Sequence, residues 1–204
     1  NDAFGMANPP NLNWPLAMLK GGEVAEATQR FQALFETRRR VMGDGHFATA
    51  EARGYYSFGA DQRLTLAGRV RAGWVEAISG SADDAPADRR FYAGGGGSVR
   101  GYAYNSIYPR ERDTLGLTPG GQGLLEGSLE ARWRFDGRLG VAAFVDGGNA
   151  FDQWRDVADL HWGAGVGVRY DLGFAPLRVD LAFPLDRDLS SAGYALYISV
   201  GQAF

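Results

Sequence analysis

Cysteine is absent from the 204 residues, which rules out a disulfide framework and any thiolate-bound metal. Histidine is nearly absent: neither His46 nor His161 has a nucleophile or further ligand at a spacing that catalysis or zinc binding requires. No catalytic residue, metal or cofactor is therefore expected, and the chain reads as a non-enzyme. Lysine occurs once, at Lys20, beside twenty arginines, and the net charge of -3 gives no reason to expect nucleic acid as a partner. No apolar run approaches the ~18 residues of a membrane helix. A charged-then-apolar leader is also missing from the opening NDAFGMANPP, so a mature or excised portion of a longer protein is expected.

Glycine (30 residues) and aromatics (13%) are abundant, and apolar and polar residues alternate. Over 124–135, Leu125, Gly127, Leu129, Ala131, Trp133 and Phe135 share one face, and Leu124, Glu126, Ser128, Glu130, Arg132 and Arg134 the other. Such alternation marks a strand with one apolar and one wet face. It recurs at 139–151, 161–172, 177–183 and 195–204, and upstream at 47–58 and 64–75. Trp14, Leu16 and Met18 suggest one more strand near 12–19. Asp136–Gly137 signals a tight hairpin, and short turns alternate with longer loops, as in outer-membrane barrels. About eight strands result, each near the ~9–11 residues a tilted membrane strand needs.

One segment breaks the pattern. Val24, Ala27, Phe31, Leu34, Phe35, Arg38, Val41 and Met42 recur at helical spacing, with Glu23 and Glu26 in front, Arg38–Arg40 behind and Gly43 beyond. A loop helix over 23–42 is expected on those grounds. The alternative is a strand over 30–41 paired through a turn at 43–45.

A soluble antiparallel sandwich also alternates. Two features favour an all-β, antiparallel transmembrane barrel occupying 1–204 as one domain. Trp133, Phe135, Trp162, Tyr170, Leu172 and Phe204 fall near strand ends on the apolar face, where interface girdles place their rings. The opposite face is crowded with charge and glycine, which suits a narrow lumen.

Residues 91–102 read FYAGGGGSVRGY. The glycine run lacks the strand–loop–helix context and the Lys-Ser/Thr of a phosphate-binding loop; its glycines instead let a long loop turn sharply. Arg100 is the informative residue. Glu130 and Asp146 lie on the polar faces of strands joined by the 136–137 turn, and Arg100 meets both if the loop over 77–121 folds inward. Breaking a buried charge pair costs roughly 3–5 kcal/mol, enough to hold a loop. The competing reading is unrelated surface charges.

These residues resemble the outer-membrane assembly-factor superfamily that includes BamA, TamA and the two-partner secretion transporters. The stretch Phe91-x-x-Gly94-Gly95-x-x-Ser98-Val99-Arg100-Gly101-Tyr102 is similar to that family's arginine-loop motif. Gly127-x-x-Glu130 and Phe144-x-Asp146-x-Gly148 are similar to the two strand motifs that hold the arginine there. The ending YISVGQAF, with Tyr197, Gly201 and Phe204, is similar to the terminal β-signal read by the assembly machinery.

The resemblance implies the last eight strands of a sixteen-stranded barrel, with the arginine loop between the eleventh and twelfth. The first barrel half and the periplasmic POTRA domains are expected outside this sequence. It further implies folding and insertion of β-barrel proteins or autotransporters, without ATP, in the bacterial outer membrane. The implied partners are the lipid bilayer, unfolded barrel or autotransporter substrates, and periplasmic or inner-membrane assembly proteins reached through POTRA domains. The free edge of the last strand, kinked at Gly201, would template an incoming strand through backbone hydrogen bonds. Two alternatives stay open: a two-partner-type channel exporting a polypeptide, and a stand-alone barrel of eight strands acting as a structural or binding module.

Overall fold

A computed structural model describes residues 31–42, 45–58, 62–77, 86–117, 119–135, 137–186 and 193–201, with backbone alone for 31–42, 45–47 and 76–77. They form one antiparallel sheet of eight strands in chain order. The strands are β1 (Phe31–Met42), β2 (Gly45–Phe58), β3 (Leu64–Ala77), β4 (Gly123–Arg134), β5 (Leu139–Phe151), β6 (His161–Asp171), β7 (Pro176–Pro184) and β8 (Ala195–Val200). Among the described residues each strand pairs only with its chain neighbours, and β1 and β8 stand at the two ends of the strand order.

Sequence alternation sets which face each side chain takes, and the faces are inverted relative to a soluble sheet. Glu130 and Asp146 are wholly buried on the concave side, whereas Leu129 is 54%, Val166 58% and Ile198 67% exposed on the convex side. Burying acids while exposing aliphatics is unfavourable in water and is the expected arrangement where the outer face meets lipid. This pattern excludes the sandwich. Trp133, Phe135 and Tyr170 are exposed at one rim and Trp162 and Phe183 at the other, matching two aromatic girdles. Phe204 lies outside the described residues.

The expected helix over 23–42 is corrected where it can be seen. Residues 31–42 are β1, laddered to β2 from Phe31 opposite Tyr56 to Met42 opposite Gly45, which is the alternative strand pairing. Helical spacing is a weak preference, and a long backbone ladder to β2 overrides it. The remainder of that segment and the strand near 12–19 lie outside the described residues.

Short connections join β2 to β3, β4 to β5 and β6 to β7 at one rim. The opposite rim carries the described parts of the longer connections, residues 86–117, 119–122, 152–160, 185–186 and 193–194, with a one-turn helix at Glu111–Thr114 and 3-10 turns at Ala87–Arg89 and Trp154–Ala158. At this rim the concave face turns apolar. Val75, Leu124 and Ala150 from the strand ends pack with Phe91, Ala93, Val99, Tyr102 and Ile107 of the 78–122 loop. Alternation of the strands did not announce this cluster, because most of its side chains belong to the loop.

Candidate functional site

The described part of the 78–122 loop, from residue 86 on, carries backbone pairing of its own. Phe91 bridges Gly121, and Ala93 bridges Ile107, making a small hairpin that descends over the concave face. At its tip Gly94 and Gly95 have φ of +102° and +104°, values side chains rarely tolerate. The resulting turn is closed by Gly94 N–H donating to the Ser98 hydroxyl at 2.9 Å. Arg69 donates to the Gly97 carbonyl at 2.8 Å, and the Ser98 hydroxyl donates to Glu126, which pairs with Arg71 at 2.6 Å.

Two residues on, Arg100 is 3% exposed. Its Nε and Nη2 donate to the two oxygens of Asp146 at 2.6 and 2.8 Å, and its own backbone N–H reaches Asp146 at 3.1 Å. Nη1 donates to Glu130 at 3.0 Å and to Asp180 at 3.3 Å. The guanidinium carbon lies over the Phe144 ring, 3.4 Å from its centre. Ser128 donates to Asp146 at 2.6 Å, filling a lone pair the arginine leaves. Bidentate and stacked contact together fix a planar cation in one orientation, which lysine could not reproduce. Burial alone pulls the Arg100 pKa down, but the Asp146 and Glu130 carboxylates outweigh it and hold the guanidinium above its usual range. The acids have further cations around them: Arg132 and Arg169 on Glu130 at 2.8 and 2.9 Å, and Arg178 on Asp180 at 2.8 Å.

Close backbone approach completes the fit. A Cβ at Gly148 would stand 2.8 Å from Val99, and one at Gly163 only 1.9 Å from the Arg100 carbonyl. Gly101, at φ +104°, passes so near the end of β7 that a Cβ would stand 2.8 Å from Pro184 N. The Tyr102 hydroxyl lies 3.0 Å from the Trp162 carbonyl and 3.2 Å from that of Asp186. Burial pushes this phenol above its usual range, so it stays a donor.

Every expected loop residue, Val99 to Tyr102, and every expected strand partner, Glu130, Phe144, Asp146 and Gly148, thus meets in one place. The surface-charge reading of Arg100 fails. Tyr197, singled out for the terminal signal, also reaches this loop. Gly201 sits just past β8 at φ +120° and donates to Pro176 O at 2.8 Å. Asp180, Ser128 and Gly163 were not singled out. Asp180 and Ser128 stand on the polar faces of their strands, so a count of inward acids and hydroxyls along β4 to β7 would have raised them.

A sheet with an apolar outer face, a charged inner one and an inward-folded loop gripped through its arginine defines an outer-membrane β-barrel of the loop-locked kind. Residues 30–204 match the family model of the Omp85 superfamily domain, and the chain belongs to that superfamily, in the bacterial outer membrane. It is 32% identical over 175 residues to the outer membrane protein assembly factor BamA of Nitratidesulfovibrio vulgaris, covering 80% of this chain and 21% of that protein. It also matches the fold of BamA from Haemophilus ducreyi lacking POTRA domains 1-3, with a TM-score of 0.62 at 18% identity over 87% of this chain and 39% of that one. The chain therefore spans about a fifth of the length of the curated relative.

Proposed function

We propose that this chain is the arginine-clasped part of an outer-membrane assembly factor that folds and inserts β-barrel proteins or autotransporters without ATP and without covalent chemistry, and so is not an enzyme. One observation carries this reading: Arg100 buried among Asp146, Glu130 and Asp180 in a chain of the Omp85 superfamily. A clasped loop keeps the lumen side of β4 to β8 in one arrangement while the sheet edge is left to exchange partners. In the described sheet β8 pairs with β7 alone, and Gly201, at φ +120°, follows directly after Val200. Unpaired N–H and C=O groups on such an edge can add a strand from an unfolded substrate. The partners on this reading are the lipid bilayer, unfolded barrel or autotransporter chains, and periplasmic or inner-membrane proteins recruited through POTRA domains. The name of the 32% identical relative favours assembly over export of a partner polypeptide.

The test is substrate insertion by the full-length protein in liposomes, with Arg100→Ala and Asp146→Ala. Both variants are expected to fold as barrels by gel mobility. Insertion should fall at least about tenfold, equivalent to ~1.4 kcal/mol. Insertion at the unmodified rate in both would remove the loop clasp from the mechanism. Normal insertion with lost polypeptide export would move the reading to a secretion channel.

A further inference from the structure

The grip on the arginine loop extends one strand beyond the carboxylates. Immediately after Arg100, the backbone of Gly101 and Tyr102 faces β8, and the Tyr197 hydroxyl engages both. It accepts from Gly101 N–H at 3.1 Å and donates to the Tyr102 carbonyl at 3.0 Å. Tyr197 is the register partner of Asp180 on β7, whose carboxylate holds Arg100. Two adjacent strands thus hold consecutive parts of one loop, the first through a charge and the second through a phenol. The ring also packs on the glycine turn, where a Cβ on Gly96 would stand 2.9 Å from Tyr197 Cδ1. Leu196, Ile198 and Val200 are exposed on the outer face, so the inward hold of this six-residue strand is concentrated at Tyr197.

We propose that Tyr197 is a positioning residue that couples the place of β8 to the seating of the Arg100 loop. With β8 where it stands, one hydroxyl satisfies a backbone donor and a backbone acceptor at once. When β8 tilts or peels from β7, both groups lose their partner together, and the loop keeps its holds on β3 to β7 but none on β8 through this hydroxyl. Coupling of this kind is reciprocal: a seated loop stabilises β8 as much as β8 stabilises the loop. The inference rests on the proposed function for its purpose, since β8 is the edge that would receive a substrate strand, but its physical content can be measured separately.

The experiment is hydrogen exchange on the full-length protein in bilayers. Tyr197→Phe is expected to speed exchange at Gly101–Tyr102 and across β8 together, each about fivefold, as loss of roughly one net hydrogen bond implies. Gly96→Ala, which crowds the ring from the loop side, should act in the same direction. Arg100→Ala should speed exchange in β8 when Tyr197 is present and add nothing to β8 on top of Tyr197→Phe, the non-additivity that marks a coupled pair. Unchanged β8 exchange in Arg100→Ala, or additive effects in the double variant, would overturn the proposal. Either result with insertion still impaired by Arg100→Ala would leave the proposed function standing. Intact coupling with normal insertion would do the reverse.

Discussion

The loop over 78–122 is held in two chemically different ways within a few residues. Around Arg100 the contact is ionic: one guanidinium, three carboxylates and a hydroxyl, with Phe144 beneath. Beside it Phe91, Ala93, Val99, Tyr102 and Ile107 pack against Val75, Leu124 and Ala150. Apolar burial is favourable and tolerant, since such clusters accept shifts and repacking with modest loss. A buried ion pair gives little net stability against its desolvation cost, yet it is severe on any arrangement that leaves a charge unpartnered. The apolar cluster therefore supplies adhesion, and the clasp supplies position. Function that depends on where the loop sits is expected to follow the clasp, while the loop's resistance to opening follows both.

The largest expected break in that division is Asp146→Ala. It strips Arg100 of its bidentate partner and frees Ser128, and should cost roughly 3–5 kcal/mol of loop stability. Exchange protection of the 91–107 amides reports this directly, and insertion should fall with it. Ile107→Ala attacks the other half. A buried isoleucine cut to alanine typically costs 2–5 kcal/mol, and about 2–3 kcal/mol is expected here because a cluster one layer deep can partly close the gap. Loop exchange should quicken while insertion stays near normal. Equal loss of insertion in the two variants would show that adhesion, not position, is what function needs.

Much of the clasp was legible in the sequence for a simple reason. Period-2 alternation assigns Glu130 and Asp146 to the wet face without any knowledge of the fold, and Asp136–Gly137 makes their strands neighbours. Asp180 was on the wet face as well. What sequence does not carry is the packing that brings Asp180 and Glu130 to the same Arg100 nitrogen although their strands are not adjacent. Gly163 was invisible for a related cause: nothing local says that the Arg100 carbonyl lies 1.9 Å from where its Cβ would be. The apolar cluster escaped notice because loop residues follow no period, and Phe91 and Ile107 are brought together by the Ala93–Ile107 bridge, a pairing within the loop. The segment over 31–42 misled in the opposite way. Its i, i+3, i+4 spacing satisfies a helix template, but a twelve-residue strand pairing along β2 supplies the backbone bonds a helix would have made for itself.

Ser128 sharpens the comparison on a smaller scale. Its hydroxyl donates to Asp146 at 2.6 Å and lies 3.4 Å from Arg100 Nη2, so Ser128→Ala removes a hydrogen bond to a carboxylate without unpairing the arginine. A loss of about 1.5 kcal/mol, the low end for a hydrogen bond to a charged group, is expected, visible as about a tenfold rise in exchange at Val99–Gly101 and no rise at Ala93 or Ile107. A uniform rise across both regions would mean that the two halves of the grip act as one unit.

Salt should have the smallest effect, and its location is the informative part. Raising ionic strength from about 0.1 to 1 M shortens the screening length from ~10 to ~3 Å. The Arg110–Asp113 pair at 3.5 Å is nearly half-exposed on both sides, and such pairs contribute at most about 1 kcal/mol; exchange in the one-turn helix that contains Asp113 should rise slightly. Arg100, Glu130 and Asp146 exclude solvent almost completely, so ions cannot enter between them and protection at residues 99–101 should not move. The ionic half of the grip would then behave in salt as the apolar half does. That likeness is what burial predicts: once water is excluded, a charge pair's response to the medium is set by its surroundings and no longer by its charge.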